Sequence, residues 1–314
     1  MSPLPEALQS AAPRSDLSAN GVERISASIV LYNTPESQLE RLLKCLRDST
    51  VRAAIYIVDN SPRPLTYDCI RKSGIVYIRP ETNGGYGAGH NIALRRVLES
   101  SDYHFVLNPD IYFDNLALEE MLRFMGRDIT IGQLMPKVIY PDGSIQYLCK
   151  LLPTPFDLFL RRFAAGPLRK ALARRANEFE LRHTSYDSVM DVPYLSGCFM
   201  LFRTSALRRT GIFDERFFMY PEDIDITRRV HVLYRTVYYP GATVVHDHAR
   251  ESYKSLRALW IHMHNLARYF NKWGWLLDSE RSRINRETLE RLRQGQASQC
   301  DSEGNVCAGS AVRS

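Results

Sequence analysis

Short apolar runs separated by segments of helical periodicity dominate the first third of the chain. Four of these runs are rich in β-branched and aromatic residues, and their composition and length predict buried strands. They are residues 26–32, 54–58, 75–78 and 104–107. Leucines at helical spacing follow the first run, and a second helix is predicted from about Asn91. Strands that alternate with helices predict an α/β fold with a mostly parallel sheet and helices on both faces.

The remainder of the chain predicts further strands, helices and two polar ends. Later strands are predicted at 195–202 and 236–239, and an amphipathic helix at 256–269. The domain boundaries that we expect are a flexible leader at 1–24, one domain at 25–278 with a basic helical insertion at 151–182, and a polar, disordered tail at 279–314. The leader lacks the apolar stretch of a signal peptide.

Composition and charge exclude several classes of protein. Of the 314 residues, 24% are charged and 45% are hydrophobic, which excludes a wholly disordered or collagen-like chain. The formal net charge of +6 permits anionic partners such as nucleotide phosphates or membrane lipids, and we expect no nucleic-acid partner. The six cysteines lack the spacing of zinc or redox sites, so we expect a reduced, cytoplasmic location. No apolar run is long enough to span a bilayer.

Three candidate ligand-binding segments fall at the carboxyl ends of predicted strands. Asp59 ends the second run, the turn at 83–91 follows the third, and Asp110 follows the fourth. In open α/β sheets, ligands bind outside this edge of the sheet. We therefore expect the three segments to converge on one site.

The turn at 83–91 holds four glycines in six positions. Glycine allows the backbone to approach a ligand closely, and the N-terminus of the following helix favours a phosphate. The turn does not match the dinucleotide-binding fingerprint, because His90 stands where the last glycine belongs. From this segment alone, a phosphate-binding turn and a tight turn without a ligand both stay open.

Acidic residues at two further places could carry chemistry. Asp110 could hold Mg²⁺ or Mn²⁺ on a diphosphate, or it could belong to a turn that starts at Asn108. Glu222 and Asp223 could include a general base, or they could cap a salt-bridged helix.

Two histidines and an arginine follow an apolar run near residue 245. His246 and His248 could ligate a metal, or they could contact a diphosphate together with Arg250. The alternative is a loop with solvated histidines.

Taken in chain order, these segments resemble the family 2 glycosyltransferases, and in particular bacterial rhamnosyltransferases that build surface polysaccharide such as O-antigen or capsule. The resemblance runs from about Ser26 to Asp278. The matching segments are Val30-Leu-Tyr-Asn33, Val58-Asp-Asn-Ser61, the turn at 83–91, Asn108-Pro-Asp110, Ser196-Gly197, Phe213-Asp214-Glu215, Glu222-Asp223 and Tyr269-Phe-Asn-Lys-Trp-Gly-Trp275. The resemblance implies a GT-A fold with C-terminal helical additions, a nucleotide-sugar donor and inversion at the anomeric carbon.

The resemblance also implies a donor site and a metal site. Asp59 matches a residue that contacts the base or ribose, and Asp110 matches the last acid of the Asp-x-Asp metal motif. His246 or His248 matches a histidine that completes the metal site in some relatives. Asn108 replaces the first acid of the motif, which puts dependence on Mg²⁺ or Mn²⁺ in question. The predicted donor-binding residues are Tyr32, Asn33, Asp59, Asn60, Gly84, Gly85, Gly87, Asn91, Asn108 and Arg250.

The same resemblance implies that catalysis belongs to the Glu222-Asp223 pair. Asp223 matches the base that takes the proton from the acceptor hydroxyl while this hydroxyl attacks the sugar. Glu222 would support Asp223 or contact the acceptor. We therefore expect an inverting transferase that moves L-rhamnose from dTDP-L-rhamnose to a lipid-linked saccharide.

Three alternatives are weighed against this expectation. The donor could instead be a UDP-hexose such as UDP-galactose or UDP-N-acetylglucosamine. A catalytically silent sugar-binding or scaffold protein is favoured by Asn108 and opposed by the intact Glu222-Asp223 pair. A sugar-phosphate nucleotidyltransferase would need an early glycine-rich phosphate loop with a basic residue, whereas the first strand here ends in Tyr32-Asn33-Thr34.

Membrane contact is a separate hypothesis. Residues 161–175 contain six basic residues and no acidic residue, and apolar and aromatic residues precede and join them from Phe156 onward. A basic helix with an apolar side can lie on an anionic bilayer surface, which here would be the inner face of the plasma membrane. The alternative is a solvated basic helix over the core.

Overall fold

The computed structural model describes residues 24–71, 74–158, 173–247 and 256–308. Except for Arg24, the predicted leader at 1–24 lies outside the described residues. The same holds for 159–172, which form the central part of the predicted basic insertion, and for His248 and Arg250.

Four parallel strands form one half of the central sheet, at the places that the apolar runs predict. They are β1 (Ile25–Leu31), β2 (Ala53–Asp59), β3 (Ile75–Ile78) and β4 (Tyr103–Leu107), in the spatial order β3-β2-β1-β4. All residues of β4 are buried, which explains why its sequence is continuously apolar and aromatic.

The other half of the sheet is mixed. Its strands are β5 (Ile111–Phe113), β6 (Ile131–Ile139), β8 (Met190–Asp191), β10 (Phe199–Arg203) and β11 (Arg235–His246), while β7 (Cys149–Lys150) and β9 (Tyr194–Leu195) form a separate two-stranded sheet. β10 runs antiparallel to β4 and β6, and β11 runs parallel to β6. The strands β1, β2, β4, β6 and β11 therefore end at one edge, and the predicted mostly parallel α/β fold is confirmed.

The structure divides the strand predicted at 195–202 into two pieces. Leu195 pairs with β7, whereas β10 begins only at Phe199. Between these two strands the backbone pairs with neither sheet, and the Gly197 N–H instead donates to the Asp223 carboxylate at 3.1 Å.

Eight helices surround the sheet in the described part of the chain. They are α1 (Glu36–Asp48), α2 (Tyr86–Val97), α3 (Ala117–Gly126), α4 (Ala173–Phe179), α5 (Thr204–Thr210), α6 (Glu222–Leu233), α7 (Leu256–Trp273) and α8 (Ser279–Ala308). The four leucines at helical spacing in α1 are all buried, as their periodicity predicts. Among the described residues, no helix has the length and apolar composition needed to cross a membrane.

Helix α2 begins at Tyr86, earlier than the predicted start near Asn91. The first turn of α2 packs closely against Phe213 and Val30, because Gly87 and Gly89 carry no side chain. A Cβ at Gly87 would lie 2.9 Å from Phe213, and a Cβ at Gly89 would lie 2.8 Å from Val30. Residues 86–89 of the glycine-rich segment therefore form the first turn of the helix, and residues 83–85 precede it.

The structure differs from the predicted disordered tail at 279–314 over the residues it describes, because 279–308 form α8. The helix is polar in composition, yet Ile284 is buried in a cluster with Tyr269 and Phe270 of α7. The Asn285 side chain also accepts the Leu152 N–H at 2.8 Å and donates to the Leu152 carbonyl at 2.9 Å. A few buried contacts thus order a helix that its overall composition does not predict.

A buried ion pair joins α6 to Asp278, the residue that precedes α8. Arg228 is 1% exposed and donates to both oxygens of Asp278, at 2.7 and 2.8 Å. The guanidinium also lies 4.0 Å from the centre of the Trp273 ring. Because both charges are buried, removal of one partner leaves the other with less compensation: Asp278 would keep Arg281 at 3.8 Å, and Arg228 would keep Glu280 at 3.0 Å.

We expect Arg228→Met to lower the free energy of unfolding by about 3–5 kcal/mol, because it leaves the Asp278 carboxylate buried. Arg123→Met is the matched control, since Arg123 forms an exposed ion pair with Glu119 and its removal should leave the stability close to that of the wild type. Chemical denaturation of both variants measures the difference. Equal stabilities of the two variants would contradict the role of the buried pair.

Candidate active site

The predicted site segments meet at the edge where the parallel strands end. Asp59 ends β2, Asp110 follows β4 and His246 ends β11. The antiparallel strand β10 begins at this edge, because Phe199 lies opposite Leu107 of β4. The sheet topology thus brings together residues that are far apart in the sequence.

Asp110 and His246 face each other, as expected for two members of a metal site. His246 lies opposite Ile111 in the antiparallel pairing of β11 with β5, so its imidazole comes next to Asp110. The Nε2 atom of His246 is 3.3 Å from Oδ1 of Asp110, and its Nδ1 atom is 3.0 Å from Gln146 Oε1. Oδ1 of Asp110 is buried and accepts no hydrogen bond from the described residues.

The electrostatics of this pair favour a positive charge. Burial alone would lower the pKa of His246, but the neighbouring Cys198 and Asp110 raise it to about 10. A carboxylate oxygen and an imidazole nitrogen at this separation also fit a divalent cation, which would take the place of the proton. The partly exposed Asn108 adds an amide to the same turn. These residues therefore fit the predicted metal site, while His248 lies outside the described residues.

Asp223 lies at the first turn of α6, where backbone and phenol groups bind its carboxylate. Oδ2 accepts the Gly197 N–H at 3.1 Å and lies 3.4 Å from the Tyr194 hydroxyl, while Oδ1 accepts the Ile224 N–H at 2.8 Å. Burial raises the pKa of Asp223 to about 6, although these hydrogen bonds and the charge of Lys150 oppose the shift. This carboxylate is ionised near neutral pH and can still accept a proton.

Glu222 has a different environment from its neighbour. It is 4% exposed, and its Oε2 atom is buried without a hydrogen-bond partner among the described residues. Burial, together with the charge of Asp223, holds the pKa of Glu222 well above its usual range. Glu222 is therefore a neutral acid beside an ionised Asp223, which avoids the repulsion of two carboxylates.

The structure adds three residues to the site that the sequence prediction omits. The Tyr86 hydroxyl donates to the Gly197 carbonyl. Burial raises the pKa of Tyr86 well above its usual range, and the neighbouring Cys198, Glu222, Asp223 and Asp110 act in the same direction. Tyr86 therefore lies between the acid pair and the metal-binding turn. Its position inside the glycine-rich segment is the signal that could have identified it.

Lys150 and Tyr194 are the other two additions. They pair in register across β7 and β9, and the buried Lys150 ammonium lies 5.2 Å from the centre of the Tyr194 ring. Tyr194 in turn reaches Asp223. A strand of two residues is too short to show a periodic pattern of apolar and polar positions, so neither residue could be identified as part of the site from the sequence.

Asp59 is fully buried and holds the loop that follows β2. Its carboxylate accepts the N–H groups of Ser61 and Leu65, each at 2.9 Å, and the Tyr77 hydroxyl at 2.6 Å. Burial alone would raise the pKa of Asp59, but these hydrogen bonds outweigh it and lower the pKa. A contact of Asp59 with a base or ribose stays a prediction.

The neighbouring candidates lie at the end of β1 and beside Asp59. Tyr32 is 57% exposed, and Asn33 has a left-handed backbone with φ of 49°. The Asn60 side chain donates to the Gly85 carbonyl at 3.0 Å. Tyr32 and Asn33 are both exposed and open to a donor, whereas Asn60 is buried, and the donor-binding role of the set stays a prediction.

The glycine-rich turn and Asn91 contact the protein itself. A Cβ at Gly85, which has φ of +94°, would lie 1.9 Å from the Phe218 carbonyl, and a Cβ at Gly84 would lie 2.9 Å from Ala88. The Asn91 amide binds the backbone of Phe213 in both directions, at 2.8 and 3.1 Å. Close packing within the protein accounts for these residues, so their donor contacts, like that of Arg250 outside the described residues, stay predictions.

The other charged residues of α6 have structural partners, as the salt-bridged helix interpretation predicts. Asp225 is fully buried and binds Arg229 at 2.9 Å and Lys272 at 2.6 Å. The Trp273 Nε1–H also donates to Asp225 at 2.8 Å. The acids of this helix therefore divide into a structural residue, Asp225, and the Glu222-Asp223 pair.

The sequence of this chain is similar to those of several known proteins. A family model described as glycosyl transferase family 2 matches residues 26–211, which is more than half of the chain. The chain is 28% identical over 238 residues to an N-acetylglucosaminyl-diphospho-decaprenol L-rhamnosyltransferase of Mycobacterium tuberculosis, over 71% of this chain and 76% of that protein. It is also 28% identical over 253 residues to rhamnosyltransferase WbbL of Escherichia coli, over 77% of this chain and 90% of that protein.

Solved structures share the fold at lower sequence identity. The structure of GalNAc-T7 with UDP, GalNAc and Mn²⁺ has a TM-score of 0.57 at 16% identity and covers 74% of this chain, which spans 44% of the GalNAc-T7 chain. Residues 1–349 of Staphylococcus aureus TarS give a TM-score of 0.53 at 16% identity, over 85% of this chain and 71% of that one. The predicted GT-A type of α/β fold with C-terminal helices is confirmed.

We expect Glu222→Gln to gain stability relative to the wild type as the pH rises above the ordinary pKa of a glutamate. Folding raises the pKa of Glu222 well above this unfolded value, so the wild type loses stability between the unfolded and the folded pKa by up to about 1.4 kcal/mol per pH unit. The amide has no such loss. Denaturation at several pH values measures the difference between the two proteins.

Glu290→Gln is the control, because Glu290 is exposed and pairs only weakly with Arg286. Its stability difference from the wild type should stay constant with pH. A constant difference for Glu222→Gln as well would show that Glu222 ionises normally.

Proposed function

The chain belongs to glycosyl transferase family 2 and is a glycosyltransferase, and on this basis we propose that it transfers L-rhamnose from dTDP-L-rhamnose to a lipid-linked saccharide. The proposed reaction inverts the anomeric carbon and serves the synthesis of a bacterial surface polysaccharide. The names of both similar proteins support the choice of sugar, and the diphospho-decaprenol in the mycobacterial name supports a lipid-linked acceptor.

The observation that carries the proposal is a pair of acidic groups with different environments at one sheet edge. Asp110 faces the imidazole of His246 and suits a cation. Asp223, with a pKa of about 6, suits a general base. Transfer from a nucleoside diphosphate needs both functions, because charge develops on the leaving diphosphate while the attacking hydroxyl loses its proton.

In the proposed mechanism, Asp110 and His246 hold a divalent cation, which would neutralise charge on the diphosphate. The same-fold GalNAc-T7 structure contains Mn²⁺, whereas for this chain the choice between Mg²⁺ and Mn²⁺ is part of the proposal. Asn108 provides an amide in place of a second carboxylate, so the cation would rest on one carboxylate and one imidazole from these residues.

Asp223 acts as the base in this proposal. The acceptor oxygen forms its bond to the anomeric carbon while the bond from that carbon to the diphosphate oxygen breaks, and Asp223 takes the hydroxyl proton. The Gly197 N–H and the Tyr194 hydroxyl fix the direction of the carboxylate before the acceptor arrives. General-base assistance of this kind typically contributes ~10²–10⁴-fold to the rate.

Two neighbours adjust the base. The Lys150 charge lowers the pKa of Asp223 and so opposes the effect of burial, which keeps the carboxylate ionised at neutral pH. Glu222 stays protonated beside it and adds no second negative charge. We propose that both are positioning residues, which act through Asp223 rather than on the sugar.

A lipid-linked acceptor requires the site to work at a membrane. We propose a cytoplasmic protein that contacts the inner face of the plasma membrane, with the basic segment 156–175 as one contact. Of this segment the structure describes 156–158 and 173–175, where Phe156 is exposed and packs against the Arg175 guanidinium at 4.8 Å.

We expect Asp223→Asn to lower turnover by about 10²–10⁴-fold and to leave donor binding unchanged, because the amide keeps the shape and loses the base. In the wild type, kcat/KM should fall as the pH drops through about 6, where Asp223 takes up a proton. Steady-state kinetics and calorimetry check both statements. Glu290→Gln is the control, and wild-type turnover in Asp223→Asn would remove Asp223 as the base.

Donor choice is tested by calorimetry with dTDP-L-rhamnose, UDP-galactose and UDP-N-acetylglucosamine, each with and without Mg²⁺ or Mn²⁺. We expect selective binding of dTDP-L-rhamnose, strengthened by the metal. Asp110→Asn should lose the metal-dependent gain, and Asp142→Asn, in an exposed turn, should keep it. Binding of a UDP-sugar instead would overturn the donor, and no binding at all would favour a silent scaffold.

A further inference from the structure

Helix α7 and the loop that follows it expose large apolar side chains. Five such side chains form what we call the apolar face: Trp260 (67% exposed), Met263 (43%), Trp275 (47%), Leu276 (83%) and Leu277 (97%). Consecutive exposed leucines at a loop tip are unfavourable in water, because each keeps its apolar area hydrated. Exposed apolar surface of this kind marks an interaction site.

The helix has a fixed orientation, so the apolar face cannot turn inward. The opposite side of α7 is buried through Leu266, Tyr269 and Phe270. The Asn265 side chain also donates to the Met219 carbonyl at 3.0 Å, just before the catalytic helix. The packing of α7 therefore holds the exposed side chains in an outward direction.

Hydrogen bonds also hold the backbone of the loop that follows α7. Arg281 is buried, and its guanidinium donates to the carbonyl groups of Gly274, Trp275 and Leu276 at 3.3–3.5 Å. The Trp275 Nε1–H also donates to the Asn271 side chain at 2.8 Å. These hydrogen bonds fix the backbone that carries Leu276 and Leu277.

The sequence along the apolar face is basic. Residues 256–277 contain Arg257, Arg268 and Lys272 and no acidic residue. Lys272 forms ion pairs with Asp214 and Asp225, and Asp278, which follows the loop, is buried in its pair with Arg228. The exposed Arg268 therefore gives α7 a positive charge that no acidic residue of 256–277 opposes.

We propose that the apolar face docks on an anionic lipid surface, with Leu276 and Leu277 inserted among the lipids and Trp260 and Trp275 at the level of the headgroups. Apolar anchors flanked by basic residues are the combination that binds such surfaces. A second copy of the chain fits less well, because residues 256–277 carry basic and no acidic side chains, so a symmetric contact through this face would bring like charges together.

This docking goes beyond the proposed reaction, because it involves neither the donor nor the catalytic pair. The test therefore contains no nucleotide sugar, and a failure of the proposed donor or base would leave its result unchanged.

The experiment is flotation of the full chain with vesicles of phosphatidylcholine and phosphatidylglycerol. We expect the wild type to bind, and the double variant Leu276→Ser/Leu277→Ser to bind at least ~10-fold more weakly, because two inserted side chains are lost. Val232→Ser/Leu233→Ser is the matched control, since both residues are exposed at the far end of α6, and it should bind like the wild type. High salt should weaken wild-type binding.

A second measurement needs no substitution of the leucines. Brominated lipids quench tryptophan that enters the bilayer, and we expect them to quench the wild-type emission. Trp275→Phe should reduce this quenching, because it removes the tryptophan beside the inserted leucines. The measurement keeps the proposal testable if the double variant fails to fold.

Three outcomes would overturn the proposal. They are absence of wild-type binding to anionic vesicles, equal binding by the double serine variant when it melts like the wild type, and a concentration-dependent dimer in light scattering that the same variant abolishes. The last result would assign the face to a second copy of the chain.

Discussion

The backbone at Gly197 holds the two halves of the site in register. Its N–H donates to Asp223, and its carbonyl accepts the Tyr86 hydroxyl. The next carbonyl, that of Cys198, accepts the Asn108 N–H at 3.0 Å. A Cβ at Gly197 would lie 3.2 Å from that of Asp223, so only glycine fits this approach without a shift. Main-chain groups, which lack the rotamer freedom of side chains, therefore set the spacing between the acid pair and the turn of Asp110.

Buried histidines show how local charge decides what one residue type does. The Ser28 hydroxyl lies 2.7 Å from His90 Nδ1 and 2.8 Å from His104 Nε2, in the middle of the fold. Burial lowers the pKa of His104 to about 3, and it lowers the pKa of His90 strongly as well. His246 is nearly as buried, but the neighbouring Cys198 and Asp110 move its pKa in the opposite direction. The first two histidines are neutral structural groups, whereas His246 attracts or shares positive charge.

The sequence predicted those parts of the site that lie at the ends of long apolar runs. The convergence of Asp110 with His246 follows from strand order, because parallel strands end at one edge. Lys150 and Tyr194 could not be predicted, since they come from two-residue strands that only tertiary packing creates. Composition misled the prediction for α8 for a related reason, because a helix can be ordered by a few buried residues among many polar ones.

The ion pair between Arg228 and Asp278 limits where the chain can be truncated. The match to the family model ends at residue 211, before α6, α7 and α8 begin. A fragment with that boundary lacks Asp223, and a fragment that ends just before Asp278 retains a buried guanidinium with its main counter-charge deleted. The segment that the family model matches is therefore shorter than the packed unit, which extends at least into the first turns of α8.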